Sequence, residues 1–390
     1  MIKISKIYPS RNVRYVTWLL NNVCPYSCVY CPEIVHSGTT KSYFNWEIYE
    51  EFLDYLFDHW NTSTIIFAFS GGEPTVHPHF EQILNKIYKA GHSFGLTSNL
   101  SKNIKFWERI RTKLEYVSAS FHPEYVNTKE KQDKFIDKLN LIAEKAGCEI
   151  RVMMYPDLWE ECVEFINKLE KSFVGDDVIP VIVLEDFGVN EKYVDITYTD
   201  DQLKWISNFV HDPDAVRADG LQIIDDNIKH QGYFEDTAGK KHLMRNVQQI
   251  SNDKITNFNG WSCNIGKDSI YVNWDGIIRG GNCLEGGYIG DLLSKVNWNS
   301  EPIICGSTYC HCVTDIKVSK EFNDNSNEVF VPEYHILKPS PDIRINDIIY
   351  NLTKTSGYII GQSNVYNAKD WKMILAIDSD ISNVIGNEQD

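Results

Sequence analysis

No apolar run in this chain approaches the roughly 20 residues needed to span a bilayer as a helix, so a membrane-spanning protein is not expected. The opening stretch MIKISKIYPSRNVRYVTW lacks the apolar block and small-residue cleavage site of a secretory signal. A cytoplasmic location is expected, where disulfides are rare. The ten cysteines among 390 residues therefore need another explanation. Positive charge is also short. With 38 Lys and Arg against 54 Asp and Glu, the net charge is −16, which argues against a nucleic-acid partner. No low-complexity block and no internal repeat beyond strand–helix units is found. A hydrophobic content of 43% with 24% charged residues is that of a globular protein. The length suits one large domain and a smaller one.

What is there is uneven. Only Cys148 and Cys162 stand alone, and isolated cysteines usually behave as small buried hydrophobes. The rest form two groups. Cys24, Cys28 and Cys31 crowd into NNVCPYSCVYCPE (21–33), and Cys263, Cys283, Cys305, Cys310 and Cys312 follow much later.

The chain around the first group alternates regularly. VRYVTWLLN (13–21) is rich in β-branched and aromatic residues and predicts a buried strand, with the cysteines in the loop after it. Further strands are predicted in STIIFAFSGGEPTVHP (63–78), SFGLTSN (93–99), EYVSASF (115–121), CEIRVMMYP (148–156) and DVIPVIVLEDF (177–187). Helical spacing marks residues 45–60, 79–91, 103–114, 129–147 and 158–171 between them, and TYTDDQLKWISNFV (197–210) after them. Such alternation means a parallel sheet with helical crossovers. Six units rather than eight predict an α/β fold built on a partial (β/α)6 TIM-like barrel. Active sites of such barrels lie at the C-terminal ends of the strands. The cysteine loop, GGEP (71–74), TSN (97–99) and SFHPEY (120–125) all fall there.

Residues 13–187 resemble the core of the radical S-adenosylmethionine (radical SAM) enzymes. The resemblance rests on the C-x3-C-x2-C spacing of Cys24, Cys28 and Cys31, on Tyr30 in the aromatic position before the third cysteine, and on Gly71, Gly72, Glu73 and Pro74 at the end of the second strand. It implies a four-iron cluster, [4Fe-4S], held by the three thiolates. The fourth iron stays open to chelate the amino and carboxylate groups of S-adenosylmethionine. One electron then cleaves the sulfonium, and the resulting 5′-deoxyadenosyl radical takes a hydrogen atom from a substrate. An electron donor such as flavodoxin or ferredoxin is implied. The same resemblance places the Gly71–Pro74 backbone at the methionine amino group, with Glu73 as a contact. It places Ser98, Asn99 and Ser120 at polar contacts to the cofactor, Arg151 on the methionine carboxylate and Leu184 against the adenine. The plainer alternatives stay open: the serines satisfy local backbone, as Ser118 does on the same face, and Arg151 joins a salt bridge. His122 either contacts substrate or cofactor, as a candidate catalytic residue, or shapes its loop with Pro123.

The second group surrounds SIYVNW and IIRGG, which flank Asp275-Gly276, a two-residue hairpin signal. A hairpin flanked by cysteines and followed by more of them resembles the small Cys-rich Twitch/SPASM-like domain of radical SAM enzymes. That implies a second, auxiliary [4Fe-4S] cluster on four of the five cysteines. The chain departs from the pattern: six residues separate Gly276 from Cys283, and the final cysteines are spaced C-x4-C-x1-C. A structural zinc site, with His311 as a further ligand, is the alternative reading of the same residues. An auxiliary cluster would make the reaction an oxidation, whereas a spare cysteine giving back a hydrogen atom would make it an epimerisation.

Three regions are expected: the barrel in 1–235, the auxiliary domain in 236–320, and a C-terminal extension of unassigned role in 321–390. Only 23 residues precede Cys24, too few for a leader-peptide-binding domain. A small-molecule substrate is therefore expected, with a peptide or protein substrate as the alternative. A non-catalytic metal-binding protein is the alternative of another class.

Overall fold

The structure, a computed structural model, describes residues 4–9, 12–31, 36, 38, 43–175, 177–181, 183, 197–210, 232–244, 256–294, 296–308, 310 and 312–322. Leu184, His311 and nearly all of the expected C-terminal extension lie outside the described residues.

Strand β1 (Ile4–Pro9) leads into β2 (Val13–Asn21). Then α1 (Trp46–His59), β3 (Thr64–Gly71), α2 (Phe80–Lys89), β4 (Ser93–Ser98), α3 (Ile104–Ile110) and β5 (Tyr116–Phe121) follow in turn. The series continues with α4 (Lys129–Ala143), β6 (Gly147–Met153), α5 (Trp159–Ser172), β7 (Asp177–Val181) and α6 (Asp200–Val210). Strands β2 to β7 pair in chain order and all in parallel. This is the partial α/β barrel expected from the alternation.

Its core lies between strands and helices. In α2, Phe80, Ile83, Leu84 and Ile87 fall at i, i+3, i+4 and i+7 and are all buried. They meet the outward side chains of the strands: Trp18 of β2, Phe67 and Phe69 of β3, and Phe94 of β4. Helix starts are fixed locally. Asn103 accepts a hydrogen bond from Phe106 N at 3.0 Å, and Thr128 accepts one from Lys131 N at 3.3 Å. Cys148 and Cys162 are buried in this core, as isolated cysteines should be. Among the described residues no helix is long and apolar enough to cross a membrane.

The cysteine-rich part adds β8 (Gly232–Asp236), β9 (Lys241–Met244), β10 (Ser262–Cys263), β11 (Ser269–Val272), β12 (Ile277–Arg279), β13 (Tyr288–Asp291) and β14 (Ile303–Ile304). It ends in α7 (Val313–Lys317) and β15 (Lys320–Glu321). Here the structure departs from the sequence-based expectation. Strand β11 does not stand in a lobe of its own. It pairs in parallel with β2, Ser269 opposite Tyr15 and Val272 opposite Trp18, as a seventh parallel barrel strand. All four of its residues are buried. A strand covered on both faces belongs inside a parallel sheet rather than in an exposed hairpin. Strands β12 and β13 then continue the sheet antiparallel. The turn is also longer than the expected two residues. Asn273 N donates to Ile277 O and Gly276 N to Asn273 O, so residues 273–276 form the turn, with Gly276 at φ 84°.

A second sheet, in the order β14-β10-β15-β1-β8-β9, joins both ends of the described chain. Strand β1 sits between β15 and β8, antiparallel to each. The expected boundary between residues 235 and 236 runs through the β8–β9 hairpin. Ile7, Val13 and Tyr15 pack with Phe258, Ile316 and Val318 in one cluster beneath the barrel.

Candidate functional site

The loops after β2 to β6 meet at one end of the barrel. The cysteine loop is anchored first by backbone. Gly72 N donates to Asn21 O, and Glu73 N to Val23 O, each at 2.8 Å. Asn21, a residue the sequence reading passed over, ties both sides: its Nδ2 donates to Glu73 O at 3.1 Å and its Oδ1 accepts from Val23 N at 2.9 Å. The glycine pair is explained by this contact. Gly71 has φ 122°, and a Cβ there would lie 2.3 Å from Asn21 O. A Cβ on Gly72 would lie 2.4 Å from Val23 O. The glycines let the end of β3 press against the root of the cysteine loop.

Glu73 is fully buried. Its carboxylate accepts from Thr75 N at 3.1 Å, Thr75 Oγ1 at 2.5 Å, Ser98 Oγ at 2.9 Å and Asn99 N at 2.7 Å. Burial pushes its pKa above the usual carboxylate range, against the pull of these donors. The side chain thus binds the loop after β3 to the loop after β4. Pro74 is buried as the first residue of the short turn that Glu73 caps. Ser98 Oγ also accepts from Leu100 N at 3.1 Å. Leu100 takes φ 52°, uncommon for a residue with a side chain, and Lys138 Nζ donates to its carbonyl. Burial lowers the Lys138 pKa to about 8, while Glu73 draws it up.

The three thiols sit at this junction as free cysteines. Cys24 Sγ accepts from Tyr26 N and from Asn99 Nδ2, each at 3.4 Å. Cys28 Sγ lies 3.4 Å from His122 Nδ1, which is 2.9 Å from Tyr30 Oη. Tyr30 therefore joins the cysteine loop to His122, on the loop after β5. That loop clamps the cysteine loop again: Ser27 N donates to Tyr125 Oη at 2.7 Å and Val29 N to Glu124 Oε2 at 3.2 Å. Tyr26 and Tyr125 stack with ring centroids 4.2 Å apart. Burial pushes the Cys24 thiol up to about 11 and the Cys31 thiol up to about 12, and holds His122 down at about 4. Thiols whose pKa is raised in this way become thiolates beside a compensating cation, so a metal cluster there must release protons as it binds. Sulfur ligands, N–H donors aimed at Cys24 and a largely enclosed loop are the chemistry an iron–sulfur cluster needs.

Arg151 and Ser120 lie on adjacent strands, opposite one another in the β5–β6 register. Arg151 Nε donates to Glu149 Oε1 at 2.9 Å, so it does take part in an ion pair. Ser118 Oγ donates to the same oxygen at 2.6 Å. The sequence reading missed Glu149, Tyr26, Glu124 and Tyr125. Glu124 and Tyr125 carried a signal, as part of the SFHPEY stretch already marked at a strand end.

The five later cysteines form one continuous group. Cys263, Cys305 and Cys310 are buried with Trp261, Phe258 and Ile316, and Cys283 packs against them. Cys263 bears electrostatically on Cys283, Cys305 and Cys310, and Cys312 on Cys310. Burial raises the thiol pKa of Cys305 and of Cys312 to about 12. The backbone around them is held by Asp315 Oδ2, which accepts from Cys283 N at 2.8 Å. Lys320 Nζ donates to Asp315 O at 2.6 Å and Ile316 O at 3.0 Å. Among the described residues no three His, Cys, Asp or Glu side chains close on a single point as a lone metal ion would require.

Comparisons with known proteins follow the geometry. No curated protein matches the chain. Among solved structures it resembles SuiB of Streptococcus suis bound to S-adenosylmethionine, with 13% identity and a TM-score of 0.48 over 73% of this chain and 65% of that one. The match thus spans less than two thirds of SuiB. It also resembles BtrN in complex with AdoMet and 2-DOIA, at 11% identity and a TM-score of 0.37, over 72% of this chain and 79% of that one. The model of the Radical SAM superfamily matches residues 18–184, from β2 to just beyond β7. That segment, with its cysteine loop and its parallel strands, is the part of the chain that matches the Radical SAM superfamily.

Proposed function

We propose that the protein is an enzyme that holds a [4Fe-4S] cluster on Cys24, Cys28 and Cys31 and S-adenosylmethionine beside it, and that it oxidises a small molecule bound in the barrel. The observation that carries this reading is the convergence of three thiols, Cys28 buried and Cys24 and Cys31 half-buried, with Asn99, Tyr30 and His122 at the open end of the strands. When bound, the cluster supplies the electron that cleaves S-adenosylmethionine and so yields the radical that removes a hydrogen atom from substrate.

The chain's own residues set the conditions. Tyr26 N and Asn99 Nδ2 stabilise negative charge on Cys24 Sγ. Glu73 keeps Ser98 and Asn99 in register with the cysteine loop. The Gly71–Pro74 backbone and Ser120 lie where the cofactor's polar groups are expected. The stacked Tyr26 and Tyr125 cover the loop and keep water from it. Residues 256–322 hold a second four-iron cluster on four of the five later cysteines, as in Twitch/SPASM-like domains. Such a cluster would supply an acceptor for one electron from the substrate after its hydrogen atom has gone to the adenosyl group. A proton leaves with the electron, so the net change is a two-electron oxidation.

Iron and sulfide content after strictly anaerobic purification tests this reading. Wild type should carry about eight irons, and a variant with Cys24, Cys28 and Cys31 all changed to Ala about four. Four irons falling to none, with one zinc retained, would remove the electron acceptor and the oxidation with it. Zinc alone in both proteins would overturn the whole proposal.

A further inference from the structure

The barrel interior is open and polar. On β3 the helix-facing Ile65, Phe67 and Phe69 are buried, whereas Ile66, Ala68 and Ser70 on the inward face are only half-buried. Thr97, inward on β4, is exposed although it lies mid-sheet. Closed α/β barrels fill this space with layers of branched side chains; here, among the described residues, Ile66, Ala68, Ser70 and Thr97 keep accessible surface.

Two charged side chains of β6 face it, and a third lies within electrostatic reach of them. Glu149 on β6 is saturated: Tyr116 Oη, Ser118 Oγ and Arg151 Nε all donate to its carboxylate. Burial alone would raise its pKa, but Arg151 and the two hydroxyls outweigh burial and hold the group below the usual carboxylate range. Glu149 therefore stays an anion and fixes Arg151 by one nitrogen. Among the described residues the other two guanidinium nitrogens have no hydrogen-bond partner.

The third charge comes from elsewhere in the chain. Lys317 ends α7, and its neighbours Ile316 and Val318 pack with Tyr15 of β2 and Ile66 of β3 beneath the barrel. Glu149 is the charge that acts on Lys317 through space, without an ion pair between them. Two cations thus lie about one anion, and Arg151 keeps 33% of its side chain exposed.

A separate observation points the same way. Tyr15 Oη and Thr17 Oγ1 are buried, with 2% and 8% of the two residues exposed, and among the described residues neither has a hydrogen-bond partner. Both alternate with Val16 and Trp18, which face the helices, so both point inward. Buried hydroxyls without partners are uncommon. Here they line the same floor as Lys317.

We propose that the floor of the barrel is a binding site for an anionic group of the substrate, a carboxylate or a phosphate, held between Lys317 and Arg151 with the hydroxyls of Tyr15 and Thr17 beside it. The site deepens the proposed function, on which it rests, by assigning the substrate's charge. The anion docks at the floor and the rest of the molecule reaches up the lumen toward the cysteine loop. A residue of the cysteine-rich segment then selects substrate for chemistry at the other end of the barrel.

Calorimetric titration of the anaerobically purified protein, with S-adenosylmethionine at saturation and no reductant, tests this with two probes, inorganic phosphate and succinate. One of them should show a single saturable site in the millimolar range or tighter, and which one binds separates phosphate from carboxylate. Lys317→Met should weaken that binding at least tenfold, about 1.4 kcal/mol. Lys317→Arg should keep it within threefold, and both variants should bind S-adenosylmethionine as wild type does. Lys317→Gln stands in should the Met variant not fold. The site is overturned if neither probe saturates wild type, or if the Met or Gln variant binds like wild type. It is equally overturned if S-adenosylmethionine affinity falls in step with anion affinity, because the lysine then serves the cofactor. Protein that lacks iron–sulfur clusters yet binds the anion through Lys317 would sink the proposed function and support the site.

Discussion

Replacing Gly72 with alanine probes the contact that anchors the cysteine loop. The added Cβ would lie 2.4 Å from Val23 O, 2.6 Å from Val23 C and 2.8 Å from Val23 N. All three are backbone atoms, so no side-chain rotation relieves the overlap. The chain must open there by an ångström or so, at a cost of about 1–3 kcal/mol for overpacking. Opening also stretches the bonds from Gly72 N to Asn21 O and from Glu73 N to Val23 O, each worth about 1 kcal/mol. The total is about 3–5 kcal/mol of stability. Gly95→Ala is the matched control: its Cβ would meet Phe67 O at 3.6 Å and Tyr116 O at 3.9 Å, ordinary contact distances, and should cost within about 0.5 kcal/mol. Urea unfolding followed by tryptophan fluorescence measures both, and iron content after anaerobic reconstitution shows whether the loop still binds metal. A Gly72→Ala protein that unfolds within 1 kcal/mol of wild type and keeps its iron would refute the anchoring argument.

Other outcomes follow from single side chains. Glu73→Gln turns one acceptor oxygen toward N–H and O–H donors as an NH2 group, and should cost about 1–3 kcal/mol; an unchanged urea midpoint would mean the carboxylate does not organise these loops. His77 is buried, its Nδ1 accepting from His79 N at 3.1 Å and its Nε2 lying 3.1 Å from Tyr49 Oη. The first bond places the ring proton on Nε2. Burial lowers its pKa to about 3, below the roughly 6.5 of an unfolded histidine. Between those values the unfolded chain binds the extra proton, so this histidine's contribution is whole above pH 6.5 and is lost as pH falls. About 2 kcal/mol should go between pH 6.5 and pH 5. His77→Asn, which keeps an acceptor for His79 N, should flatten that slope; equal slopes in the two proteins would count against the assignment.

Much of the barrel was readable because its signals are local. Strand β3 alternates apolar and small residues within eight positions, and α2 shows its buried face within eight more. The cysteine spacing and the Gly71–Pro74 stretch are likewise contiguous. What could not be read depends on pairings between distant residues. SIYV looks like one arm of a hairpin until β2 is seen beside it. Glu73 falls at the end of a predicted strand, and two of the groups that donate to its buried carboxylate, on Ser98 and Asn99, come from a distant part of the chain. Nothing in the sequence around Gly72 shows that a Cβ there would meet the chain's own Val23 carbonyl. Lys317 gave no signal, because nothing in VTDIK says that a barrel floor lies above it.

The place of β1 has a consequence for how the chain comes to be folded. During synthesis β1 emerges first, yet its neighbours β8 and β15 come much later, and the pairing of Ile7 with Lys320 closes nearly the whole described chain into one loop. The parallel strands β2 to β7 can collapse on their helices as they appear. β1 must wait with both edges unpaired, a state that invites association with other chains. Closure of so long a loop is entropically costly and slow compared with local pairing. Capture of β1 between β8 and β15 is then expected to follow the collapse of the barrel, and the cysteine-rich sheet is complete only when that step is over.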